Sequence, residues 1–145
     1  MNAFDLPPTL LLGSATAATQ IEGGDKAVNW YSWSLAGKIA NGESSLPGCG
    51  HWDRVEQDTA LLAQMHQQCY RMSVEWSRLE PEEGRWSAEG LKHYRNELTL
   101  LRQNHIVPLV TLHHFSCPQW FQDRGAWLAP DAVETFLRFT AHVVE

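Results

Sequence analysis

The chain has 145 residues, a formal net charge of −6, 43% hydrophobic and 19% charged residues. That length is enough to bury a core, and the composition is that of a globular, water-soluble domain. The negative balance argues against a nucleic-acid backbone as natural partner and fits a neutral ligand at least as well, and no stretch nears the ~20 apolar residues that a membrane span requires, so no membrane partner is expected.

Residues 9–20 read as the first strand, with Pro7 and Pro8 before and Gly23 and Gly24 after. The strand is built from small side chains (LLGSATAATQIEGG) and ends on an amide, Gln20, and a carboxylate, Glu22. Residues 25–50 form a long loop region rich in Gly, Asn and Ser; its aromatic cluster Trp30, Tyr31 and Trp33 predicts that part of it folds back onto the body. Residues 53–68 read as a helix with Asp53 at its N-cap and Val55, Leu61, Leu62, Met65 and Cys69 along one face. In residues 70–76, Tyr70, Met72, Val74 and Trp76 alternate with Arg71, Ser73 and Glu75, a strand whose second face is polar. Such a face suits an exposed antiparallel strand or a strand lining a polar cavity.

Residues 80–86 form a turn, and residues 88–103 an amphipathic helix carrying Leu91, Tyr94, Leu98 and Leu101. Residues 106–113 are β-branched and apolar, the pattern of a buried parallel strand. Pro130 suits the first turn of a last helix, with Val133, Phe136, Leu137, Thr140 and Val144 as its inward stripe.

Strand and helix therefore alternate three times, which predicts parallel strands joined by right-handed crossovers. Neither GxGxxG nor GxxxxGK[ST] occurs, so a nucleotide-binding sheet lacks its phosphate cradle. The remaining large class is the (β/α)8 barrel, which takes roughly 250 residues. The expectation is an α/β fold holding about the first three βα units of a (β/α)8 (TIM) barrel. Residues 1–145 would form the N-terminal portion of one incomplete catalytic domain that stops inside a helix at Glu145.

The three cysteines Cys49, Cys69 and Cys117 are odd in number, widely spaced and without a CxxC, as free thiols of a reducing, cytoplasmic compartment would be. The leucines at 10–12 before Ser-Ala-Thr-Ala-Ala imitate a secretory leader, but the N-terminus lacks a basic segment, so secretion is not expected.

The strand ends collect Gln20, Glu22, Arg71, Glu75, His113, His114, Phe115 and Trp120. A barrel gathers such residues around its C-terminal mouth. An inward Arg71 must find an anion or carbonyls, and a structural pair with Glu75 or Glu22 is one answer. His113 and His114, as strand neighbours, face opposite sides and cannot share one metal; with Cys117 they still define a metal-binding alternative. Spacing alone nominates Glu22 and Glu75 as an acid/base pair.

LLGSATAATQIEGG, YRMSVEWSRLEPEEG and VPLVTLHHFSCPQW, in this order, resemble the N-terminal third of glycoside hydrolase family 1, the retaining β-glucosidases, β-galactosidases and their relatives. The segment NWYSWSLAGKIANGESSLPGCGHWDR is similar to the archaeal β-glycosidase branch. The resemblance implies that Gln20 binds two hydroxyls of the sugar in the −1 subsite. His114, in the TxxH(W/F) pattern begun by Thr111, binds a further glycone hydroxyl. Phe115 stands where the family usually has Trp, which keeps an aromatic wall and loses an indole donor. Arg71 matches the arginine beside the catalytic nucleophile, a supporting rather than catalytic position. The resemblance places both catalytic glutamates, in Asn-Glu-Pro and Glu-Asn-Gly contexts, outside this sequence, and it removes Glu22 and Glu75 from those roles. It implies a β-linked oligosaccharide or glycoside as partner, no metal and no cofactor. Isolated barrel units would also self-associate through exposed edges. A carbohydrate-binding protein without catalysis is the alternative reading.

Overall fold

The computed structural model describes residues 5–144. Glu145 and the first four residues, on which the leader reading partly rests, lie outside the described part. The elements in order are β1 (Gly13–Ala15), α1 (Ala18–Ile21), α2 (Asn29–Leu35), α3 (Val55–Gln64), β2 (Cys69–Ser73), α4 (Trp76–Leu79), α5 (Ala88–Gln103), β3 (Val107–Thr111), α6 (Gln119–Asp123) and α7 (Ala132–Val144). The strands form one parallel sheet in the order β1-β2-β3, with Ala15 opposite Arg71 and Ser73 opposite Thr111. With helices following each strand, this is a partial α/β barrel, the first βα units of a (β/α)8 architecture, as the alternating pattern predicts.

The alternation in β2 sorts the two layers. Tyr70, Met72 and Val74 are buried under the helices together with Leu79, Tyr94, Leu101, Ile106 and Phe139. Arg71, Ser73 and Glu75 take the other side, so the polar face is an inner face and not that of an exposed antiparallel strand. The core centres on Trp76, whose ring lies 4.7 Å from both Phe121 and Phe139 and whose Nε1–H donates to Glu80. Helix α5 has the predicted bounds. Ser87 caps it by accepting the Gly90 N–H at 3.0 Å, and Tyr94 and Leu101 are buried.

Five readings are corrected. The first strand is only three residues long: the Ala18 N–H bonds Ser73 Oγ at 2.7 Å, and the chain turns there into α1. The second strand stops at Ser73, and Trp76 opens α4 because its ring is drawn into the core. The third strand is not buried: Val107, Leu109 and Val110 are each more than 40% exposed, because β3 is paired on one side only. The last helix turns Ala132, Thr135 and Phe139 inward with Phe136 beside them, whereas Val133, Leu137 and Val144 face outward. Phe139, stacked on Trp76, sets that rotation. In α3 the buried residues are Val55 and Thr59, with Leu61 and Met65 exposed, and no side chain caps its start.

Candidate functional site

Each strand of the sheet ends in a loop that carries polar or aromatic side chains to the same edge. Beyond β1, α1 presents Gln20. Beyond β2 come Glu75 and α4. Beyond β3 the chain leaves the ladder at Thr111, so His113 and His114 sit in a loop and not on a strand. They still diverge. His113 packs among the helices against Trp127 and Phe136, and burial lowers its pKa. His114 accepts a hydrogen bond at Nδ1 from Arg71 Nη1 at 3.1 Å. Cys117 is buried and its thiol is pushed up to about 12 by burial and by the charge of Glu75. Among the described residues no three His, Cys, Asp or Glu side chains come together as metal ligands.

The hydrogen bond to His114 settles its protonation pattern chemically. A guanidinium has only donors, so Nδ1 must be the bare nitrogen, and the ring proton sits on Nε2. The His114 ring meets Phe115 at 5.2 Å, and Phe115 meets Trp30 edge-on at 5.4 Å. Phe115, Trp30, Gln20, Glu43 and Ser44 line an open hollow of about 490 Å³, a size suited to a small ligand. The aromatic segment after the first strand thus folds back as its composition predicts, through α2, and Trp30 is its contribution to the hollow. Arg71 and His114 touch each other directly. Gln20 shares the hollow with Phe115, whereas Arg71 and His114 lie behind Phe115 and do not line it.

Glu22 and Glu75 are a different matter. Glu75 is 2% exposed; its carboxylate accepts hydrogen bonds from Thr19 and from Ser116 at 2.8 Å, and the Ser77 hydroxyl, which donates to Asp25, lies 3.3 Å away. Glu22 is 4% exposed, accepts from Tyr94 OH at 2.9 Å and lies 2.6 Å from Arg78 Nε. Burial raises both pKa values, that of Glu22 to about 7 against the opposing pull of Arg78. The free space beside them is about 10 Å³, room for one water at most. They cannot reach a glycosidic bond, and the pairing suggested by spacing fails on access.

Sequence reasoning missed the hydroxyls that hold these carboxylates. Thr19 precedes the nominated Gln20 and Ser116 stands two residues after His114, and that closeness in sequence was the available signal. It also missed Arg78, whose guanidinium holds the Gly23 carbonyl and covers the Trp52 ring at 3.8 Å. Trp52 in turn stacks on His93 at 3.6 Å.

Three parallel βα units with amide, imidazole, guanidinium and aromatic groups beyond the strand ends define the first segment of a (β/α)8 barrel. The family model described as glycosyl hydrolase family 1 matches residues 3–145, and the chain belongs to that family. It is 35% identical to β-glucosidase A of Acetivibrio thermocellus, over 97% of this chain and 33% of that protein, and 34% identical to β-glucosidase 11 of Arabidopsis thaliana, over 93% and 27%. Among solved structures it superposes on an enzyme of Alicyclobacillus herbarius with a TM-score of 0.94 at 35% identity, covering 100% of this chain and 34% of the other. It superposes on the psychrophilic β-glucosidase BglU of Micrococcus antarcticus with a TM-score of 0.91 at 34% identity, covering 97% and 31%. The chain spans about a third of the length of the curated relatives it matches.

Proposed function

We propose that residues 1–145 are the N-terminal portion of a β-glycosidase barrel that removes a terminal β-linked sugar with retention of anomeric configuration. Gln20 and the Nε2–H of His114 bind glycone hydroxyls, Phe115 forms an aromatic wall to the sugar, and Arg71 supports the nucleophile. In the retaining reaction one carboxylic acid protonates the leaving oxygen, while a carboxylate about 5–5.5 Å away attacks the anomeric carbon; water then releases the sugar. The family resemblance assigns both carboxylates to barrel units outside this chain, and Glu22 and Glu75 are enclosed here. The observation that carries the reading is the Arg71–His114 hydrogen bond beside the Phe115 wall. A guanidinium held there keeps a neighbouring carboxylate ionised and aimed. The unpaired thiols suit a cytoplasmic setting.

The test joins this chain in frame to the C-terminal two thirds of β-glucosidase A of A. thermocellus and assays 4-nitrophenyl β-D-glucopyranoside. The hybrid should turn over with retention, followed by NMR of the anomeric proton, and the 145 residues alone should not. Comparable turnover by the short chain alone sinks the placement of the carboxylates.

A further inference from the structure

The hydroxyls of Thr19 and Ser116 approach Glu75 from two different loops. Thr19 stands next to Gln20 in α1, after β1; Ser116 stands two residues after His114, after β3. Both donate to the same carboxylate oxygen, Oε2 of Glu75. Glu75 itself is the residue at which the chain leaves β2 for α4, and β2 is the central strand of the sheet. Its second oxygen, Oε1, lies 3.3 Å from the Ser77 hydroxyl, which donates its proton to Asp25 Oδ2 at 2.5 Å. Its backbone N–H donates to Tyr94 OH at 2.9 Å, and that hydroxyl donates onward to Glu22. The post is therefore fixed from below before the two loops are tied to it.

We infer that Glu75 is a positioning residue, a bracket that sets the spacing between Gln20 and His114 by drawing the loops after β1 and β3 to one oxygen. The inference rests on the glycone-binding reading of those two residues. A carboxylate is the fit acceptor here. One oxygen offers two lone pairs, so two hydroxyl donors converge without competing. Alanine at position 75 would remove the acceptor that the two hydroxyls share, leaving Thr19 without it and Ser116 with only the His114 carbonyl at 3.3 Å.

The experiment has two arms. In the first, hydrogen–deuterium exchange is followed in the 145-residue chain and its variants. Glu75→Ala should speed exchange in peptides covering residues 16–22 and 113–117 about tenfold, as local opening predicts, and leave Ala88–Gln103 unchanged. Glu75→Gln, whose amide oxygen can still accept both hydroxyls while its NH₂ faces Ser77, should stay near the parent. Exchange that rises throughout the chain, or in neither loop, overturns the bracket. In the second arm the hybrid enzyme is assayed. A misplacement of the sugar contacts should raise KM about tenfold or more in Glu75→Ala, and Glu75→Gln should restore it to within about threefold. A purely structural role would instead lower kcat through a smaller active fraction at unchanged KM, and that result also overturns the bracket. Glu82→Ala, at an exposed ion pair with Arg85, is the control expected to change neither constant. Failure of the glycone reading looks different: Gln20→Ala and His114→Ala leave KM untouched while the exchange arm still decides the bracket.

Discussion

Arg71 Nη1 donates to Nδ1 of His114 across 3.1 Å, joining residues 43 positions apart on the same side of the sheet. The pair fixes both the tautomer and the orientation of the imidazole. Arg71→Met should release the ring, and in ¹⁵N spectra of the 145-residue chain the His114 signals should move from a pure Nε2–H pattern toward a mixture of tautomers. Unchanged His114 nitrogen shifts in the variant count against the assignment. Arg71→Lys should restore the pattern poorly, because an ammonium lacks the planar fork.

His51 carries the clearest pH dependence. Burial works against its charge, but hydrogen bonds to Glu97 at 3.1 Å and Asp58 at 2.6 Å outweigh it and raise the pKa to about 9. The folded pKa exceeds the unfolded value of 6.5, so the folded state binds the proton more tightly. The contribution is complete below pH 6.5 and is lost as pH rises through about 9. Its size is about 3 kcal/mol from the linkage relation. Urea unfolding between pH 6 and 10 should show that decline in the parent, and a flatter profile in His51→Gln. Equal slopes in the two proteins refute the assignment.

The legibility of the chain followed the length and regularity of each element. Helix α5 emerged with its true bounds because Ser87 caps it and its apolar residues keep a 3.6-residue period. The two faces of β2 were legible for the same kind of reason, since strict alternation has one reading once a parallel sheet is expected. The strand ends were not. The bonds that stop β1 at Ala15 and β2 at Ser73 run to residues more than fifty positions away, and no local pattern encodes them. Helix α7 misled because Val133, Leu137 and Val144 make as good a stripe as Ala132, Thr135 and Phe139, and only the Trp76 ring decides between them. Of the site, Arg71 and His114 were nameable from motif resemblance. Their mutual bond, and the hydroxyls on Glu75, required the fold.

Gly90 marks a close approach between α5 and α4. A Cβ at this position would lie 2.7 Å from the Arg78 carbonyl oxygen, a backbone atom that cannot swing away. Alanine gains about 1 kcal/mol over glycine in a helix interior, but forced overlap in a packed region costs about 1–3 kcal/mol. The overlap should win, and Gly90→Ala should lower the urea midpoint. A stabilised variant means that α4 and α5 stand further apart than described.

Phe139 should be among the costliest truncations. It is fully buried, stacks on Trp76 at 4.7 Å and also contacts Phe136 at 5.9 Å. Phe139→Ala should destabilise by about 3–5 kcal/mol through lost transfer energy and the cavity left behind. Leu137→Ala, two residues away at a position 59% exposed, should change stability by less than about 0.5 kcal/mol. Urea unfolding of the two variants side by side tests the rotation of α7, since the stripe expected from sequence predicts the reverse order.

The outward face of α7 also bears on self-association. Val133 and Leu137 on that helix, and Leu109 and Val107 on β3, are large apolar side chains left in water, and both outer strands present unpaired edges. Sedimentation velocity of the 145-residue chain should therefore show association that grows with concentration. Leu137→Lys tests the helix face and Leu109→Lys the strand face; each replaces an exposed residue, so the monomer should remain as stable as the parent. If the strand edge dominates, Leu109→Lys weakens association far more than Leu137→Lys, because an edge lysine blocks pairing as well as removing apolar area. A chain that sediments as a monomer across the whole concentration range shows that these faces do not bind one another, and an equal effect of the two lysines points to hydrophobic contact without strand pairing.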